Sequence, residues 1–177
     1  MTHATPLRAA ADRLEAAAGA FGALAPKVTA GGPWPLAERF GTEPEASWGP
    51  PEVLAHVAEM IPFWLGETER ILDGAAVARA VGAAAATPFG RIADDPVRIG
   101  VIGRDRTVPA RELFARVRAD ARRLAARMRE LDATDAASVG LHPRLGEMTV
   151  EAVLDRFAVT HLEEHVGQLG QLLSGRP

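Results

Sequence analysis

The chain has 177 residues with a formal net charge of −3, 47% hydrophobic and 24% charged residues, 5% aromatics, no Tyr and no Cys. That length predicts one core and a single domain over residues 1–177, and the slight acid excess, without a Lys-rich stripe, excludes nucleic-acid binding as the main activity. Without Cys there is no disulfide, no thiolate metal site and no cysteine nucleophile, so any metal must be held by His, Asp or Glu.

Met1 to Ala25 is Ala-rich, but Asp12, Arg13 and Glu15 interrupt any apolar leader. No later stretch approaches the roughly 18 to 20 uncharged apolar residues of a membrane span. The expectation is a cytoplasmic chain without membrane contact.

Helical periodicity marks four segments separated by stretches rich in Gly and Pro, and no segment alternates as a set of strands would. The first helix is predicted over Pro6 to Ala25, with Leu7, Leu14, Phe21 and Leu24 on one stripe and Pro26 as its stop. Residues 26 to 49 read as loop. The second helix opens at Gly49-Pro50-Pro51-Glu52 and runs to about Gly74 on the stripe Val53, Val57, Met60, Trp64 and Ile71. Pro62 inside it removes the bond to the Ala58 carbonyl and predicts a kink. Across residues 75 to 109, Ala83 to Ala86 suggest a helical extension and Val97 to Ile102 a short extended piece.

The third helix is predicted from Thr107 or Val108, with Pro109 in its first turn and Leu113, Val117, Leu124, Met128 and Leu131 as its stripe. The fourth starts after Thr149 as N-cap, carries Val150, Val153, Leu154, Phe157, His161, Leu169 and Leu172 on one face, and stops at Ser174-Gly175-Arg176-Pro177. These segments specify an all-α four-helix bundle with long crossover loops, which leave the up-and-down order of the helices open.

Five His occur, and their placement is the most informative feature. His161 and His165 are four apart on the apolar face of the fourth helix, one turn from each other and near enough to share an ion. His56, between Val53 and Met60, faces inward from the second helix. The competing reading is core histidines satisfied by hydrogen bonds. Glu59 and Gln168 are candidate partners of these imidazoles, Gln168 more simply an ordinary polar residue. His161-Leu162-Glu163-Glu164-His165 also spells H-x-x-E-H, a protease signature that needs a ligand well downstream, whereas twelve residues follow His165. Glu163 and Glu164 read instead as the wet edge of the helix.

Ser47-Trp48-Gly49-Pro50-Pro51-Glu52-Val53-Leu54-Ala55-His56-Val57-Ala58-Glu59 resembles the "W-S-x-x-E-x-L-x-H-L" opening of helix two in the DinB/YfiT-like superfamily. His142-Pro143-Arg144-Leu145-Gly146-Glu147-Met148-Thr149-Val150, followed by His161-Leu162-Glu163-Glu164-His165-Val166-Gly167-Gln168-Leu169, is similar to that family's "H-P-x-x-G-x-x-T/S" and "H-x-x-x-H-x-x-Q-I/L" ending. Gly49 departs from the family's usual Ser or Thr cap. The resemblance implies a four-helix bundle with a divalent metal on His56, His161 and His165, zinc or nickel first and manganese or iron next. It further implies enzymes that use a thiol cosubstrate such as bacillithiol or mycothiol on a small electrophilic molecule. In the related mycothiol-dependent maleylpyruvate isomerases one ligand is a Glu, whereas both helix-four positions are His here.

The expected chemistry is activation of a thiol or water by the ion, for S-transfer, isomerisation or hydrolysis. The alternative is a non-catalytic helical module that binds a metal or effector through a closed site, with Glu59 as a fourth ligand. His142 reads as a loop anchor, and His3 gets no role. Trp34, Trp48 and Trp64 read as core plugs with pocket lining as the alternative, and Arg104 and Arg106 as solvated loop cations with anion binding as the alternative. The Ala-rich faces of helices one and three leave room for a homodimer.

Overall fold

The computed structural model describes residues 6–38, 40–41, 44–83, 86–91 and 95–175. Its fold is helical, as the periodicity requires, with one small sheet that the sequence does not announce. Helix α1 (Pro6–Ala23) buries Leu7, Leu14 and Phe21, which recur seven apart. Leu24 interrupts the run, and Pro26 then sits in the first turn of a second short helix, α2 (Ala25–Ala30). Pro26 therefore opens a helix instead of leading into loop, because a first-turn residue needs no N–H partner. A 3₁₀ turn over Glu45–Ser47 further corrects the reading of residues 26 to 49 as loop.

Helix α3 runs Pro50–Ala80, past the expected stop at Gly74 and through Pro62. Gly74 serves close packing instead: a Cβ there would collide with the Thr87 side chain of strand β1 (Thr87–Pro88). The Val97 to Ile102 stretch is helical rather than extended, as part of α4 (Pro96–Asp105). Its start is strongly specified, with Pro96 in the first turn and the Asp95 carboxylate accepting from the Val97 N–H at 2.8 Å. Residues 84–85, within the suggested Ala83 to Ala86 extension, lie outside the described residues; Ala83 and Ala86 are not helical.

Helix α5 (Ala110–Glu130) has Pro109 at its N-cap and buries Leu113, Val117, Leu124 and Met128. A short α6 (Ala133–Ala136) follows, then the hairpin β2 (Val139–His142) and β3 (Gly146–Thr149). Strand β2 pairs parallel with β1 and antiparallel with β3, His142 lying opposite Gly146. Gly146 has φ +76°, a turn conformation open to glycine at no cost. Gly140 lets β2 approach α3, since a Cβ would stand 2.7 Å from Ile71 Cδ1.

Strand β3 feeds into Thr149, whose hydroxyl accepts from the Ala152 N–H at 3.2 Å and caps α7 (Val150–Leu154). The helix continues through a π-helical turn, Asp155–Thr160, into α8 (His161–Ser174). Four long rods, α1, α3, α5 and the α7–α8 run, share the core: α1 packs on α5 and α8, and α3 on α5 and α8. Among the described residues no helix is long and apolar enough to cross a membrane.

Candidate metal centre

His56, in the second turn of α3, and His165 on α8 are buried to 2% and 3% exposure. His161 Nε2 lies 3.1 Å from His56 Nε2 and 3.2 Å from His165 Nε2. The fourth member is Glu45, carried by the 3₁₀ turn, whose Oε2 stands 3.4, 3.9 and 4.0 Å from Nε2 of His161, His165 and His56. Ligand atoms of Glu45, His56, His161 and His165 all lie within 4.8 Å of one another, a group that can hold a metal ion. Nitrogens about 2.0–2.1 Å from one ion stand roughly 3.3 Å apart in a tetrahedral shell, and the two His–His separations are close to that spacing.

The outer nitrogens decide which lone pairs face inward. The Gln168 amide donates through its nitrogen to the Glu45 carbonyl at 2.7 Å, which leaves its oxygen 2.8 Å from His165 Nδ1. That nitrogen must therefore carry the proton, and His165 Nε2 presents a lone pair. His161 Nδ1 likewise donates to Glu164 Oε2 at 3.2 Å. While the His161 ring is neutral, two imidazole lone pairs thus oppose each other beside a carboxylate oxygen, an arrangement that is relieved either by a cation or by a second proton on His161, whose Nε2–H then donates to Glu45. His56 differs, because the Arg98 guanidinium donates to its Nδ1 at 3.1 Å. The His56 proton accordingly sits on Nε2, and the neutral ring becomes a ligand through Nε2 only in the other tautomer, with the proton moved to Nδ1 and the Arg98 contact given up.

Burial pushes the His56 imidazole well below its usual pKa, against the pull of Glu45 and with the help of Arg98. Burial also lowers His165, with His161 adding to it. For His161 burial acts downward too, but hydrogen bonding and charge from Glu45 and Glu164 outweigh it and the value is raised. Burial would raise the Glu45 carboxyl; its hydrogen bond to His161 and the charges of His56 and Arg98 prevail and hold it far below the usual carboxylate range.

Glu59 does not reach the cluster: it pairs with Arg91 and lies 4.0 Å from Arg98 Nε. Gln168 turns out to be the working partner of His165, and Glu164 of His161, although Glu163 does remain at the wet edge, bonded to Arg13 at 2.7 Å. Both partners stand three residues after the imidazole they hold, the helical spacing that signals them. No comparable signal marks Glu45 or Arg98, which tertiary folding delivers from a turn and from α4.

The cluster opens on a cavity of about 1100 Å³ lined by Met60, Phe63, Trp64 and Phe157 beside charged groups. Trp64 stacks on Phe157 at 4.7 Å, so it lines the cavity rather than plugging the core, as Trp48 does. Trp34 is half-buried, bonded to the Val28 carbonyl. His142 lies outside the cluster and anchors its loop as expected, Nδ1 accepting from the Arg144 and Leu145 N–H groups. Arg104 bonds Asp105 but remains largely in solvent, as expected, at the end of α4, whereas Arg106 is half-buried and bonds Glu52. His3 is outside the described residues.

A family model described as the DinB superfamily matches residues 7–169. No curated protein and no solved structure matches the chain significantly.

Proposed function

Because the chain belongs to the DinB superfamily, we propose that it is a divalent-metal-dependent enzyme acting on a small electrophilic molecule, with His56, His161 and His165 as the ligands. The observation that carries this reading is the convergence of three ring nitrogens and a carboxylate oxygen within 4.8 Å at the edge of a large cavity. A structural metal site is closed, whereas a catalytic one adjoins space for another molecule. Three nitrogens and one oxygen suit zinc or nickel, and manganese or iron next. When bound there, the ion supplies Lewis acidity that brings the pKa of a thiol or water into the neutral range.

The chain's own residues have separable tasks. Burial keeps His56 and His165 neutral, the charge state in which an imidazole ligates a metal. Glu45 stays ionised, which makes it a poor proton acceptor and a good charge partner for a cation. Gln168 ties the Glu45 turn to α8 and orients His165 in one contact pair. Phe63, Trp64 and Phe157 offer an apolar wall that excludes water and takes the body of a substrate. Since the chain has no Cys, the thiol is a low-molecular-weight cosubstrate such as bacillithiol or mycothiol, with hydrolysis as the variant in which water takes its place.

Glu45 also favours a second reading, a non-catalytic helical module whose fourth protein ligand closes the site. Metal content measured by mass spectrometry on protein purified without chelator or tag tests both. About one equivalent in the parent and little in folded His165→Ala is expected. Equal metal in the two proteins removes the ligand assignment. Turnover of simple electrophiles with bacillithiol, mycothiol or water by the loaded protein then separates enzyme from module.

A further inference from the structure

His142 ends strand β2 and lines the cavity. Its Nδ1 accepts the N–H groups of Arg144 at 3.1 Å and Leu145 at 3.0 Å, so the ring proton is fixed on Nε2. The residue is 9% exposed, lines the cavity, and has no acceptor for Nε2–H among the described residues. Its ring is held by stacking on Phe157 at 5.7 Å and 15°, and by the edge of Phe89 at 5.1 Å. The π-helical turn presents Phe157 and, next to it, Arg156, whose guanidinium lies 5.7 Å from the Phe157 ring.

Arg91 and Arg98 are matched by Glu59 and Glu45. Arg144 and Arg156 line the same cavity as His142, whose pKa is lowered by burial first and then by their charges. Asp155, the acid next to Arg156, is engaged by Arg13 at 2.7 Å, and no carboxylate pairs with Arg156 among the described residues. A rigidly held N–H donor open to the cavity with no acceptor among the described residues, on the same wall as the exposed guanidinium of Arg156, describes one half of a hydrogen-bonded anion site.

We propose that His142 Nε2–H and Arg156 form a carboxylate-binding subsite for an acid whose apolar body lies along Trp64 and Phe63. That the bound acid is the substrate of the histidine cluster rests on the proposed function; the subsite itself does not. The neutral imidazole supplies direction and the guanidinium supplies charge. The volume of about 1100 Å³ admits such an acid together with a cosubstrate.

His142→Asn is the informative variant, because an Asn oxygen still accepts from backbone N–H groups two residues on and keeps the turn while the Nε2–H donor is lost. Arg156→Met removes the charge and retains apolar bulk. The probes are 3-phenylpropanoate and the isosteric 3-phenylpropanamide, titrated calorimetrically into the full chain, metal-free and zinc-loaded, with ¹⁵N spectra of the His142 ring. The acid is expected to bind both forms about tenfold or more tightly than the amide and to shift the Nε2–H resonance. Each variant should cost the acid about tenfold and the amide less than about twofold. Equal affinity for acid and amide, or no binding of either below about 10 mM, overturns the proposal. So does an acid preference that vanishes without zinc and ignores both variants, which would place the carboxylate on the ion and leave the metal reading intact. A preference that depends on His142 and Arg156 in a chain that takes up no metal would uphold the subsite while removing the metal reading. Should His142→Asn fail to fold, Arg156→Met and the ring spectrum of the parent decide the matter.

Discussion

Where α1 meets α5, the molecule buries Leu7, Leu14, Phe21, Leu113, Val117, Ala121 and Leu124, and the charged groups stay outside. Where α3 faces α4 and α8, it buries Glu52, His56, Glu59, Glu67, Arg98 and His165. Each of these side chains has a polar partner, although Glu52 Oε2 itself has none among the described residues. Glu52 bonds the Ala37 N–H at 3.0 Å and Arg106 at 3.0 Å, and Glu67 bonds the Gly90 N–H at 3.0 Å. Burying charge is costly even when it is paired, so one half of the fold supplies stability and the other spends part of it on fixing the position of functional groups.

The largest effect should come from the apolar half. Leu14→Ala removes a fully buried side chain and is expected to lower stability by about 2–5 kcal/mol in urea unfolding. Metal bound per folded molecule should stay at the parent value, and its loss would erase the division between the halves. The converse change is Gln168→Leu. Without the amide, His165 Nδ1–H and the Glu45 carbonyl both lose a partner, and metal affinity measured by chelator competition should fall about 10–100-fold. Stability of the metal-free protein should move by less than about 1 kcal/mol, since Gln168 is only half-buried.

Acidification sharpens the comparison further. His142 is pushed below its usual pKa by burial first and then by Arg144 and Arg156. Below about pH 6.5 the unfolded chain takes up this proton before the folded one, so stability falls with pH from there. His56 and His165 act in the same direction and His161 in the opposite one. The contribution of His142 is read as the difference between parent and His142→Asn melts between pH 5 and 7.5, values on the order of one pKa unit either side of the unfolded His. A variant with an unchanged slope would show that the His142 shift has no thermodynamic weight. The smallest effect belongs to the outside of the apolar half, where Arg129 bridges Asp12 at 2.6 Å and Glu15 at 2.8 Å in solvent. Arg129→Ala should cost less than about 1 kcal/mol, and less again in high salt.

Legibility in the sequence follows the range of the interaction. The stripe of Leu113, Val117, Leu124 and Met128 could be read because a helix brings those positions together within its own span. His161 and His165 could be paired for the same reason, and the Thr149 cap likewise. The three strands have two to four residues each, too few for alternation to register. Gly74 looked like a helix stop because the pattern of one segment does not reveal that Thr87 will press against it. The continuation of α3 to Ala80 and the helical state of Pro96–Asp105 were lost in the same Gly- and Ala-rich region.

By itself, then, the sequence determined the helical class, the faces that form the core and the inward aim of His56, His161 and His165, since periodicity and caps act over a few residues. Tertiary structure alone decided that Glu45 joins them from a turn, that Arg98 rather than Glu59 meets His56, and that His142 and Arg156 share one cavity wall. The physical reason is chain crossing: Gln168 clasps Glu45 across 123 residues and His56 meets His161 across 105, and no local pattern encodes which distant segments will arrive at the same place.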